Sequence, residues 1–288
     1  MILNVLFLIL GVYACSTAVI MIKVSTMDPV LLSALRLLIA AAALTPLAWR
    51  DLRRHRGRFG LRDLRATLLP GLLLGLHFVS WIIGARQTPA VNASLIVNMV
   101  PIVMPLLMFV LVRERLTAGE LAGTAISLAG LALLAATDFD LNPRHFLGDM
   151  TCFVSMLLFA FYLALGRRNR SFATIWLYVV PLYYAAGLLC LAAAVVLRAD
   201  IFQPYPLKEV LLVLGLALIP TVVGHSILNY SMKHLRGQVV SVLNLGQFVF
   251  AGTMGYFFFG DVPHWALYVA AACLVAGAII VLRSQEKA

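Results

Sequence analysis

Four stretches of this sequence set polar and aromatic side chains at helical spacing inside otherwise apolar runs. His77, Ser80, Trp81 and Gly84 recur at i, i+3, i+4 and i+7, one face of a helix. His225, Leu228, Asn229 and Met232 make a comparable face. Ser94, Asn98, Pro101 and Pro105 fall together in a third run, and Ser241, Asn244, Gln247 and Phe248 in a fourth. Tyr13 with Ser16 and Thr17, and Phe161 with Tyr162, are positioned to close the sides of a shared space. The chemistry open to such a set is binding: amide and imidazole hydrogen bonds to a polar group, and aromatic faces for an apolar body. Covalent chemistry finds little support. Ile82 and Tyr230 stand five residues after His77 and His225, where a carboxylate would be needed for acyl transfer. No His/Asp/Glu metal cluster, Gly-rich phosphate loop or Ser–His–Asp set can be assembled. The expectation is a protein that is not an enzyme and needs no cofactor and no metal.

Each residue also has a plainer reading. Ser94, Ser241, Gly252 and Gly255 suit close helix approach, and Asn98, Asn229 and Asn244 suit interhelical hydrogen bonding. Trp81 and Phe248 suit packing, and His77 suits an internal bond. Pro101 and Pro105 withdraw backbone donors and kink a helix, freeing carbonyls that must find water, a neighbour or a ligand. Convergence of four runs near one depth favours a binding site over these alternatives.

The elements that carry these residues are membrane spans. The chain of 288 residues is 62% hydrophobic and 12% charged, and a run of ~20 apolar residues matches a ~30 Å hydrocarbon core. Ten such runs are predicted, at 3–22, 29–49, 66–86, 91–112, 118–137, 147–166, 173–197, 210–232, 237–259 and 264–282. The first lacks a positive leading segment and reads as a retained span. Cys15, Cys152, Cys190 and Cys273 all fall inside spans and read as packing residues.

The net charge of +10 is distributed as a topological signal and not as a nucleic-acid footprint. With the N-terminus cytoplasmic, sixteen basic residues flank inner loops, seven of them between Arg50 and Arg65, against five outside (Lys23, Arg86, Arg144, Arg198 and Lys208). Positive loops stay inside, so both termini are expected in the cytoplasm, with anionic lipid as a secondary contact of the basic loop. Arg36 is the remaining base, about two turns into the second span. It reads as a gating or structural residue that snorkels outward and pairs with Asp28 or Asp261, ahead of a contact with a substrate carboxylate.

A shift of 147 residues places Ser94 on Ser241, Glu114 on Asp261, Gly130 on Gly277 and Arg86 on Lys233. Spans three, four and five then overlay eight, nine and ten. Five spans per half make inverted repeats, 1–140 and 141–288, within a single membrane domain, an arrangement common in alternating-access transporters with a midplane site. Phe248 falls on Pro101 and Tyr183 on Arg36, so the halves are not expected to bend or pair symmetrically.

Asp28-Pro29 with Arg36, Thr88 to Ile96, Pro101, and Glu114-Arg115-Leu116-Thr117 followed by Gly123 and Gly130 resemble the EamA branch of the drug/metabolite transporter superfamily. Within it the chain looks most like the YddG-type aromatic amino acid exporters. The resemblance implies a bacterial inner-membrane protein of ten helices that exports small metabolites. The residues point the same way by a separate route. No Asp or Glu lies mid-span, which disfavours organic cations and proton coupling through a carboxylate. No Lys or Arg is expected at the midplane either, which disfavours phosphates and nucleotide sugars. A neutral or zwitterionic solute with an aromatic or other apolar body remains, with another small metabolite or drug-like solute as the alternative. A channel fits poorly, since a pore needs rings of like groups, as does a sensor, since no loop is long enough for a signalling region. Besides solute and lipid no nucleic acid or obligatory protein partner is evident. Only His77 or His225 could carry protons, and gradient-driven export without coupling is the expectation.

Overall fold

The computed structural model describes residues 2–57, 59–260 and 262–285, with the backbone alone at 258 and 259. Ten helices in this part are long and apolar enough to cross a membrane: α1 Ile2–Val24, α2 Pro29–Arg54, α3 Leu61–Gln87, α4 Ala90–Val112, α5 Ala118–Asp138, α6 Pro143–Arg168, α7 Trp176–Val196, α8 Leu207–His234, α9 Gly237–Phe257 and α10 Trp265–Gln285. They follow the apolar runs. α2 and α3 extend further: α2 to Arg54, where the His55 N–H donates to the Asp51 carbonyl, and α3 from Leu61, where the Asp63 carboxylate accepts from the Gly60 N–H at 2.9 Å. The Asp28 carboxylate accepts from the backbone N–H groups of Val30 and Leu31, opening α2 beside Pro29. At α5 Thr117 and Glu120 form a reciprocal capping box.

Helix packing obeys an exchange of the two halves. α3 packs on α6 and α7, while α8 packs on α1 and α2; α4 meets α6 as α9 meets α1; and α2–α7, α4–α9 and α5–α10 each pair with their own counterpart. The α5–α10 seam shows why the residues permit this. A Cβ on Gly123 would lie 2.5 Å from the Gly277 carbonyl oxygen, and one on Gly130 would lie 3.1 Å from the Ala270 backbone. Moving by 147 residues turns Gly123 into Ala270 and Gly130 into Gly277, so each contact is the other's image. Small residues let the two backbones approach where no bulkier side chain fits.

Breaks in the helices carry the same symmetry. α4 is interrupted at Asn98 and Met99, and α9 at Leu245 and Gly246, again 147 residues apart. Pro101 accounts for the first, since its nitrogen cannot donate, and Gly246 marks the second. The expectation that the halves would not bend symmetrically, with Phe248 in place of Pro101, is therefore corrected: both helices break. In α8, residues Ala217–His225 wind as a π-helix around Pro220, and Thr221 Oγ1 bonds back to the Leu216 carbonyl at 2.7 Å. Single π turns often mark functional positions.

Candidate functional site

The breaks of α4 and the π segment of α8 face one another across a cavity of about 40 Å³ between the two halves. Its walls come from α1 (Cys15, Ser16), α2 (Arg36), α3 (His77, Phe78, Trp81), α4 (Ser94, Asn98), α6 (Phe159), α8 (His225) and α9 (Gln247, Ala251). Of the residues expected from the sequence, His77, Trp81, Asn98, His225 and Gln247 line it.

Aromatic rings form one side. The His77 ring stacks on Phe159 at 4.8 Å between centroids, and His225 stands edge-on to Phe78 at 4.8 Å and to Phe159 at 5.7 Å. The two imidazoles are 6.2 Å apart. Ser155 holds His77: its carbonyl lies 3.0 Å and its hydroxyl 2.8 Å from Nδ1. His225 Nδ1 has no partner among the described residues.

Polar groups form the other side. Asn98 Nδ2 donates to the Ser94 carbonyl at 2.7 Å, which leaves its buried Oδ1 without a partner among the described residues. Gln247 Nε2 donates to Asn244 Oδ1 at 2.8 Å. Asn244 thus stands one layer behind Gln247. Asn229 and Tyr162 likewise stand behind His225: Asn229 Nδ2 donates to the Tyr162 hydroxyl and, at 2.8 Å, to the His225 carbonyl.

Other expected residues lie elsewhere, each for a local reason. Pro101 is buried with its carbonyl accepting from Gln238 Nε2 at 3.2 Å. Phe248 lines a neighbouring apolar cavity of about 470 Å³ between α1, α4, α5, α9 and α10. Val19, Ser94 and Ala251 border both cavities. Ser80 turns its hydroxyl onto the Leu76 and His77 carbonyls of its own helix. Tyr13 is 48% exposed and packs edge-on against Phe250. Phe161 also faces outward, and Phe159, one half-turn away, takes the inner position.

Arg36 corrects the sequence reading most. It does not snorkel; it is 1% exposed and lines the cavity. Nε and Nη2 donate to Thr221 Oγ1 at 3.0 and 2.9 Å, and the guanidinium carbon lies 3.8 Å from the Phe78 ring centroid. Asp28 is occupied in capping α2, and Asp261 lies outside the described residues. Tyr183, which the shift places on Arg36, reaches the same turn of α8, donating to the Thr221 carbonyl at 3.2 Å. A fixed positive group therefore sits at cavity depth, where none was expected.

At the end of the bundle that holds the α4–α5 and α8–α9 loops, charged groups tie the halves together. Glu114 accepts from Arg167 Nη2 at 3.0 Å and from the Gly237 N–H at 3.0 Å. Glu120, fully buried, accepts from Arg236 Nε at 2.5 Å. That bond holds the Arg236 guanidinium more firmly protonated than usual. At the opposite end Glu209 accepts from Ser25 Oγ at 2.6 Å and from the Thr26 N–H at 2.8 Å.

Comparison with known proteins agrees with this architecture. The model of the EamA-like transporter family matches residues 2–136 and again 146–283. An uncharacterized transporter of Archaeoglobus fulgidus is 28% identical over 89% of this chain and 87% of its own length. The aromatic amino acid exporter YddG of Ancylobacter novellus is 26% identical over 73% and 72%, and the pseudopaline exporter CntI of Pseudomonas aeruginosa 23% identical over 76% and 75%. A protein crystal structure superposes with a TM-score of 0.77 at 21% identity, covering 99% of this chain and 97% of that one, which bears on the fold alone. With two copies of the family's five-helix unit and ten spans, the chain belongs to the EamA-like transporter family and is a multi-pass transporter of the inner membrane.

Proposed function

We propose that this transporter exports small neutral or zwitterionic solutes with an aromatic body, aromatic amino acids foremost, by alternating access between the halves 1–140 and 141–288, with both termini in the cytoplasm. The observation that carries this reading is the composition of the central cavity: the rings of His77, Phe78, Trp81 and Phe159 together with the amides of Asn98 and Gln247. Apolar walls with a few fixed polar groups suit a solute that is apolar at one end and polar at the other. The YddG relative supports the aromatic assignment. The CntI relative supports a second reading, another small metabolite handled by the same cavity.

At about 40 Å³ the cavity has room for waters and not for an amino acid, since ligand sites run to ~300–1,000 Å³. Entry of solute therefore requires this cavity to widen, by the halves moving apart or by merging with the apolar cavity of about 470 Å³ beside it. In reconstituted proteoliposomes preloaded with unlabelled phenylalanine, radiolabelled phenylalanine should accumulate by counterflow, and aromatic amino acids should compete better than aliphatic ones. Counterflow with a different metabolite of a mixed panel, and none with any aromatic amino acid, would favour the second reading.

A further inference from the structure

A buried guanidinium without a counter-ion is among the most unfavourable groups a protein can hold. Among the described residues Arg36 is in that condition. It is 1% exposed, and Thr221 Oγ1 occupies Nε and Nη2. Nη1 has no partner among the described residues, and no ion pair to Arg36 is found among them. A hydroxyl and the Phe78 ring face stabilise a cation in part, yet neither offers the anion that a guanidinium matches best.

The same cavity wall holds the complementary deficit. Asn98 Oδ1 is a buried acceptor without a partner, since Nδ2 is committed to the Ser94 carbonyl. An unmet guanidinium nitrogen on α2, an unmet acceptor on the broken turn of α4 and the aromatic rings lining the same cavity describe, in negative, a carboxylate, an ammonium and a ring.

We infer that Arg36 binds the carboxylate of the transported solute, making this a site for amino acids in zwitterionic form, with Asn98 Oδ1 receiving the ammonium. This rests on the export reading above and narrows it. Thr221 positions the guanidinium by holding its Nε edge, so Nη1 is the nitrogen left for solute. The π segment that carries Thr221 thereby joins solute binding to the packing of α8 against α1 and α2. A single fixed charge fits one carboxylate and leaves a phosphate's second charge unmatched.

The test uses matched analogues on the full-length protein in proteoliposomes. Phenylalanine, phenylalaninamide and 2-phenylethylamine share the ring and the amino group and differ only at the carboxylate; a second panel pairs other amino acids with their amides. Competition against a labelled acid should favour the acids by roughly 10- to 100-fold, the factor lost with a charge-assisted hydrogen bond. In Arg36→Gln that preference should collapse toward unity, and Arg36→Lys should retain part of it. The parent protein's preference stands as a test by itself if Arg36→Gln does not fold. Amides and amines competing as well as acids in the parent would overturn the assignment, as would failure of every acid to be transported. So would Arg36→Gln and Arg36→Lys that fold and keep the full preference. If aromatic acids fail while another acid is carried in preference to its amide, the carboxylate site stands and the aromatic reading falls.

Discussion

At the scale of single residues, transport depends on side chains held in fixed positions around a narrow space. Trp81 is 7% exposed and walls the cavity from α3. Trp81→Ala should weaken transport of aromatic solutes several-fold while leaving expression and melting temperature close to the parent; a general loss of protein would mark Trp81 as packing only. Asn98→Ala should lower transport by a similar factor, since a neutral hydrogen bond is worth ~1 kcal/mol. His77 tests the driving force. Its Nδ1 is held by Ser155, and glutamine keeps a donor and an acceptor without titrating near neutrality. His77→Gln should keep substantial flux, with an imposed proton gradient concentrating nothing in either protein. Uphill accumulation by the parent that disappears in His77→Gln would make this histidine a proton carrier. Much of this site was legible in the sequence because helical spacing groups His77 with Trp81, and Asn98 with Ser94. Arg36, Phe78 and Phe159 were not. Whether Arg36 faces lipid, water or cavity depends on the rotation of α2 about its axis, which packing against α7 and α8 fixes. Phe159 and Phe161 differ by two positions, and only the seating of α6 decides which of them turns inward.

At the scale of elements, length and composition revealed the spans, because charge cannot be placed in hydrocarbon without a large cost. The breaks were harder to read. Pro101 announced the interruption of α4, but Gly246 does the same in α9 with no proline, and nothing in the spacing around Pro220 distinguished a π segment from an α-helix. The α5–α10 seam has the clearest mechanical consequence. Gly123 faces the Gly277 carbonyl and Val281 with no room for a side chain, so Gly123→Leu should destabilise the protein by ~1–3 kcal/mol, the range for overpacking. Leu121→Ala, at a 60% exposed position of the same helix, should leave the melting temperature nearly unchanged. A Gly123→Leu protein that melts with the parent would mean that the seam is looser than described.

At the scale of the whole molecule, two matched halves enclose the central cavity and its apolar neighbour and are latched by Glu114, Glu120, Arg167 and Arg236 at one end. With basic residues in excess there, that end is the one proposed above to face the cytoplasm. In a cysteine-free background, Arg56→Cys should therefore resist an impermeant thiol reagent on intact cells and Leu141→Cys should react; the opposite pattern would invert the threading. On the proposed mechanism, solute passes through the cavity between the halves. Ser94, which borders both that cavity and its apolar neighbour, gives the most direct reading. In Ser94→Cys, with Cys15, Cys152, Cys190 and Cys273 replaced, the rate of modification by a small thiol reagent should fall severalfold at saturating transported solute and stay unchanged with a non-transported analogue. Modification at the same rate with and without solute, in a protein that still transports it, would contradict the account.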